Sequence, residues 1–370
     1  MIEVFKPSMG QEEIEAVAEV LKSGWIGLGP KTALFEKEFA AYIGVRHAIG
    51  VNSATAALDL AVKLLGINHG DEVIVPTMTF VSTAHAVAYN LATPIFADCD
   101  ENSLNLDLSD VAGRISRRTK AIIAVHFAGR PVDMDGLRRI AGNIPVIEDA
   151  AHACGASYKG KKCGSLGDLA CFSFHAVKNL AMGDGGCIAT DRDEIRDRAK
   201  KLRWLGIDKG TWDRTGLDKS YWWQYCVEEI GLKCHMNDIM ASIGLVQLRK
   251  LDLMNSRRKA IAGLYFEGLA DLPELRLPLF DDANNSSSWH IFHVKAFQRD
   301  KLSAYLREMG INTGVHYTPI HTYGCYGNRP VLPVAERLVE VILSLPMYPD
   351  LTDGQVMEII TAIRAFYGRT

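Results

Sequence analysis

The chain has 370 residues, with 41 Lys+Arg against 44 Asp+Glu for a formal charge of −3, and 48% of its residues are hydrophobic. Those values describe a soluble globular protein of about two domains at roughly 150 residues each, large enough to bury about three quarters of its extended surface without staples. They exclude a nucleic-acid binder that works by neutralising phosphates, and the absence of any run of roughly 18–20 apolar residues excludes a membrane span.

The start, MIEVFKPSMGQEEIE, lacks the basic residues and apolar core of a secretory signal. Eight cysteines are scattered without a C-x-x-C pair, which reads as free thiols in the cytoplasm and offers no paired spacing for zinc. The basic run Arg114, Arg117, Arg118 and Lys120 reads as a solvated helix end.

In chain order, short apolar runs alternate with helical stretches. AIGV (48–51) leads into ATAALDLAVKLL (54–65), and EVIVP (72–76) leads into TFVSTAHAVAYN, followed by TPIFAD (93–98). AIIAVHF (121–127) precedes MDGLRRIAG, then come PVIEDA (145–150), LACFSF (169–174) and GGCIAT (185–190). Buried strands separated by helices predict βαβ units and a mostly parallel sheet. From Asn237 to about Leu269 apolar residues recur at near-helical spacing, predicting one or two long helices. After the Pro- and Asp-rich stretch 272–288, WHIFHVKAF reads as a strand, DKLSAYLREMG as a helix and INTGVHY as a strand. This change of rhythm predicts a large domain over 1–245 and a smaller α/β domain over 246–370.

Several familiar motifs are missing. No G-x-G-x-x-G follows a strand, and neither H-E-x-x-H nor G-x-S-x-G occurs. GASYKGK (155–161) imitates a phosphate loop, but Lys162 stands where Ser or Thr should hold magnesium. Asp98 and Asp100 read as a strand-end turn rather than a metal site.

Three segments carry chemistry. NSATAAL (52–58) joins a strand to a helix, so its hydroxyls and helix-start N–H groups form either an anion site or a plain N-cap. In PVIEDAAHACG (145–155) the acids Glu148 and Asp149 fall at a strand's C-terminal end, where open parallel sheets bind ligands. A carboxylate there can pair with a cationic ring nitrogen or cap the next helix. In FSFHAVKNLAMGDGG (172–186) Lys178 is either an exposed loop lysine or a desolvated amine nucleophile, with Ser173 as a further hydroxyl. Together they match what pyridoxal 5′-phosphate requires: an anchored phosphate, an acid keeping the ring nitrogen protonated, and a lysine forming a Schiff base. Phe80 can stack on the ring or serve the core.

With SGWIGLGP (23–30), GDEVIVPTMTFVSTAHAV, HFAGRPVDMDGL, MNDIMASIGLVQLRKLDLMNSRR, GVHYTPIH and LSLPMYPDLT added, nearly the whole chain resembles the DegT/StrS sugar aminotransferases. The resemblance implies the pyridoxal-phosphate-dependent transferase fold type I, an α/β fold in which a large domain with a mostly parallel seven-stranded sheet between helices precedes a smaller C-terminal α/β domain. It implies that Lys178 is the Schiff-base lysine, that Asp149 faces the pyridine nitrogen and that His152 lies beside the ring hydroxyl. Ala54, Thr55 and Ser173 match the phosphate cradle, Phe80 the stacking aromatic, and His316 and Tyr317 the segment that closes over the sugar. The family's homodimer places a polar residue, usually Asn, on the other subunit's phosphate. Within GLKCHMND (231–238) the candidate positions hold Lys233 and His235, and Asn237 can substitute.

Some relatives replace the lysine with His and dehydrate their sugar, so an intact Lys178 implies aminotransfer. L-Glutamate is the implied donor and a nucleotide-linked keto sugar the acceptor. FSFHAVKN, VIEDAAHACGASYKG and TWDR (211–214) are most similar to the C4 enzymes making UDP-4-amino-4-deoxy-L-arabinose, whereas AMGDGG is similar to some C3 enzymes. The insert 213–231, rich in Trp and Tyr, reads as a border of the acceptor pocket or as a packing flap. A rival class, a non-catalytic pyridoxal-phosphate regulator, is disfavoured by Lys178 and by the lack of a helix-turn-helix pattern.

Overall fold

The computed structural model describes residues 1–208, 225–327 and 330–369; TWDR (211–214) and most of the insert 213–231 lie outside them. Seven strands build the main sheet: β1 (His47–Val51), β2 (Glu72–Pro76), β3 (Thr93–Ala97), β4 (Thr119–Val125), β5 (Val146–Asp149), β8 (Leu169–Ser173) and β9 (Gly186–Thr190). Their order is β1-β9-β8-β5-β4-β2-β3, and only β9 runs antiparallel to its neighbours. The expected mostly parallel seven-stranded sheet is present, and its strands begin and end within a few residues of the apolar runs.

The reason is burial on both faces. β2 and β5 have no exposed residue, as continuous apolar runs in a parallel sheet require. Helix α3 (Ala54–Leu64) buries Leu58, Ala61 and Val62 on one face of the sheet. Helix α2 (Pro30–Ile43) covers the other with Phe35 and Phe39, whose rings meet Phe172 and Phe174 edge-on at 4.9–5.4 Å. Each such buried ring stabilises the fold by about 1.5–3 kcal/mol. GASYKGK forms a small hairpin from β6 (Ser157–Tyr158) and β7 (Lys161–Lys162).

One 32-residue helix occupies the long periodic stretch, Asp238–Leu269. Ala241, Leu245, Leu248 and Leu251 pack with the α2 phenylalanines, while Ile261, Ala262, Tyr265 and Leu269 enter a second core with Phe292 and Val294. Residues 245 and 246 therefore lie within an unbroken helix. Ile2 also joins the second core, pairing with Ile311. That core covers a three-stranded antiparallel sheet in which β12 (Phe292–Ala296) lies between β10 (Leu275–Arg276) and β13 (Ile342–Leu345). The expected helix forms at Arg299–Glu308.

INTGVHY is not a strand. It makes two isolated bridges, Ile311 with Ile2 and Gly314 with Ser344, and the chain then leaves the sheet so that the Tyr317 N–H meets the Met78 sulfur at 3.4 Å. The strand that completes this sheet, β13, comes from ILSL further on.

Candidate active site

The C-terminal ends of β4, β5 and β8 and the start of α3 converge on a cavity of about 330 Å³. Ala54 and Thr55 line it from α3, Asp149 and His152 from the end of β5 and just beyond it, Ser173 from the last position of β8, and Lys178 from the turn that follows. Phe80, His316 and Tyr317 close the remaining sides. These nine residues named from the sequence thus share one cavity. Asn237 does not: its side chain accepts from the Met240 N–H at 2.9 Å and caps the long helix. Lys233 and His235 line a separate groove beside Trp25 and Trp204, with the Lys233 ammonium 4.9 Å from the Trp204 ring centre.

Lys178 is half-buried at the cavity wall. Burial pulls its pKa down to about 8 against the opposing pull of the Asp149 charge, so about a tenth of it is free amine at pH 7. Its backbone N–H donates to His175 O at 2.8 Å in a tight turn that sets the side chain's direction. Asp149 is 4% exposed. Burial pushes its carboxyl above the usual range, while the Thr83 hydroxyl at 2.8 Å, the Ala151 N–H at 3.2 Å and the Lys178 charge pull it back. A carboxylate held in this balance gains most from a further cationic partner.

His152 is held neutral by its burial, then by the charges of Lys178 and His316. Its Nε2 lies 3.0 Å from the Tyr317 hydroxyl, and the two rings stack at 5.9 Å and 19°. Its Nδ1 is buried without a hydrogen-bond partner. His316 is anchored by Nδ1 to the Ser344 hydroxyl at 2.9 Å, and burial lowers its pKa to about 4. Phe80 is 57% exposed and tilts toward Tyr317 with ring centres 6.1 Å apart.

At the other end of the cavity the Thr55 and Ser82 hydroxyls meet at 2.7 Å beside the start of α3. Ser53 is the N-cap, accepting from the Ala56 N–H at 3.1 Å, so the capping role falls to Ser53 and leaves the Ala54 and Thr55 end of the helix facing the cavity. The Gly-rich turn has a physical reason here. A Cβ on Gly186 would come within 2.4 Å of the Ser53 carbonyl and 2.6 Å of the Ala54 nitrogen, so only glycine lets β9 run against that helix start. The helix N-terminus, three hydroxyls, a buried acid and a depressed lysine suit a group carrying a phosphate, a basic ring nitrogen and an aldehyde.

Sequence reasoning missed Thr83, Ser82 and His290. Thr83, in the first turn of the helix Ser82–Tyr89, bonds Thr79 in the loop before it at 2.9 Å, and the cluster of hydroxyl residues Thr77, Thr79, Ser82 and Thr83 leading into an otherwise apolar helix was the available signal. Asp98 follows β3, as a strand-end residue, but its carboxylate accepts the N–H groups of Val334 and Ala335 at 2.9 Å each, a long-range contact that the turn reading did not include.

A family model for DegT/DnrJ/EryC1/StrS aminotransferases matches residues 7–364. The chain belongs to this family. Members of the DegT/DnrJ/EryC1/StrS family are pyridoxal-phosphate-dependent. The spore coat polysaccharide biosynthesis protein SpsC of Bacillus subtilis is 42% identical over 97% of this chain and 95% of its own. Among solved structures, the aminotransferase TlmJ from Streptoalloteichus hindustanus superposes with a TM-score of 0.94 at 37% identity, covering 100% of this chain and 99% of TlmJ. The sugar aminotransferase Spr1654 of Streptococcus pneumoniae in its PMP form gives 0.92 at 31% identity, covering 99% of this chain and 98% of that one; a PLP form of Spr1654 is also similar. The fold is thus that of the pyridoxal-phosphate-dependent sugar aminotransferases.

Proposed function

We propose that this chain, as a cytoplasmic homodimer, moves an amino group from L-glutamate to C4 of a nucleotide-linked 4-keto sugar. The observation that carries the aminotransfer is Lys178: an amine lowered to about 8 in the same cavity as the buried Asp149. The bound cofactor supplies an electron sink for the bond broken at the donor's Cα. Lys178 is the covalent anchor and then, with its nitrogen freed, the base that carries a proton between two carbons of the reacting group. Asp149 holds the ring nitrogen protonated, Thr83 orients Asp149, and His152 with Tyr317 hydrogen-bonds the ring hydroxyl. The start of α3 with Thr55, Ser82 and Ser173 takes the phosphate, Phe80 covers the ring, and His316 and Tyr317 position the sugar. Asn237, Lys233 or His235 reaches the phosphate of a second subunit. Residues 1–245 act as the cofactor domain and 246–370 as the small domain.

The acceptor assignment rests on sequence likeness to the enzymes making UDP-4-amino-4-deoxy-L-arabinose, and a place in polysaccharide assembly is supported by the similarity to SpsC. The AMGDGG turn, packed on the helix start at Ser53, is the feature that favours C3 instead. Purified protein given the cofactor should turn yellow and lose that colour with glutamate. Incubation with a panel of nucleotide keto sugars and NMR of the product should place the new amine on C4. An amine on C3 would overturn the position, and a protein that stays colourless would overturn the function.

A further inference from the structure

His290 stands behind Lys178, outside the group of residues that line the cavity. Its backbone N–H donates to Ala128 O at 3.0 Å, fixing the segment just before β12. The ring is 2% exposed, stacked on Phe5 at 5.3 Å and 11° and packed against His152 at 4.6 Å. Its Nε2 lies 3.4 Å from Lys178 Nζ, and its Nδ1 is buried with no hydrogen-bond partner. A ring kept only for packing against Phe5 would be better served by phenylalanine, which leaves no buried polar atom unsatisfied. The imidazole is retained beside an amine that the chemistry must release and re-aim.

We propose that His290 is a positioning residue for Lys178: its Nε2 holds the lysine nitrogen at the cavity wall whenever that nitrogen is not bonded elsewhere. This rests on the function proposed above, in which Lys178 is the reacting amine. A neutral imidazole with Nε2 unprotonated accepts an N–H from the ammonium form strongly and from the free amine more weakly. The lysine's direction is thereby set in both forms, with the ammonium form gaining more. Burial first, then the positive charges of Lys178 and Arg258, hold His290 neutral, and the Asp149 charge also acts on Lys178.

Losing an acceptor of the ammonium's N–H lowers the lysine's pKa, by about one unit for a hydrogen bond to a charged group. The test uses the full chain without cofactor, labelled by acetic anhydride across a pH series, with mass spectrometry of the Lys178 peptide. The parent midpoint is expected near 8, His290→Phe about one unit lower, and His290→Gln, which keeps an acceptor, close to the parent. His290→Met takes the place of the Phe variant if that one fails to fold, with the same expectation. An unshifted midpoint in a folded variant without the imidazole overturns the contact. Covalent cofactor uptake by Lys178→Ala would instead overturn the proposal by removing Lys178 from the reaction, a result separate from the labelling curve.

Discussion

Two acids sit side by side at the end of β5 and face opposite ways, because successive strand residues alternate. Glu148 points behind the sheet. Its Oε2 accepts from the Gly164 N–H at 2.7 Å and from His126 Nε2 at 2.8 Å, and its Oε1 from the N–H groups of Leu166 at 2.7 Å and Gly167 at 2.5 Å. His126 in turn accepts from the Val132 N–H through Nδ1 at 3.0 Å. Gly164, at φ +100°, gives the loop the left-handed turn that aims its N–H groups at the carboxylate. Asp149 points into the cavity and, among the described residues, has Thr83 and Ala151 as its donors. Both acids are buried, and Cys163 joins Glu148 and His126 in a group of metal-ligand types. Saturation separates them: four donors make Glu148 a structural hub, and Asp149 keeps unfilled capacity toward the cavity.

The comparison can be broken from either side. Glu148→Ala leaves buried N–H groups unpartnered and should destabilise the fold by about 3–5 kcal/mol in urea unfolding; a small loss would mean that Glu148 is not a hub. Asp149→Ala should lower kcat about 10²–10³-fold while leaving unfolding nearly unchanged, and parallel losses of stability and turnover would erase the distinction. Cofactor capture by Lys178 should fall about tenfold per pH unit below its pKa and level off above about 8, because only the neutral amine attacks. A flat stopped-flow profile between pH 6 and 9 would contradict the depressed amine. Thr83→Val removes one hydrogen bond from Asp149 and should cost about tenfold in kcat, on the order of 1.4 kcal/mol; an unchanged kcat would show that Asp149 needs no orienting partner.

The sheet was legible because its strands are continuous apolar runs; Asp149 stood out at the polar end of one, and Lys178 as the lysine in a mostly apolar turn between two others. The roles of Glu148 and Asp149 were not separable in sequence, since alternation tells that they face apart but not which way. His290 was hidden inside a strand-like run, WHIFHVKAF, and its partner Lys178 is 112 residues away. Thr83 looked like helix content because its hydrogen bond to Asp149 spans 66 residues. INTGVHY alternates like a strand, yet tertiary packing on Met78 drew His316 and Tyr317 to the cavity instead. All eight cysteines are free, six of them buried, as scattered spacing implied. No helix among the described residues is long and apolar enough to cross a membrane.

The central claim is that Lys178 bonds the cofactor. Borohydride reduction of the cofactor-loaded protein, followed by peptide mass mapping, tests it most directly. The account predicts the added pyridoxyl mass on the peptide carrying Lys178 and its absence in Lys178→Ala. The same mass on a different lysine, or none on any, would contradict it.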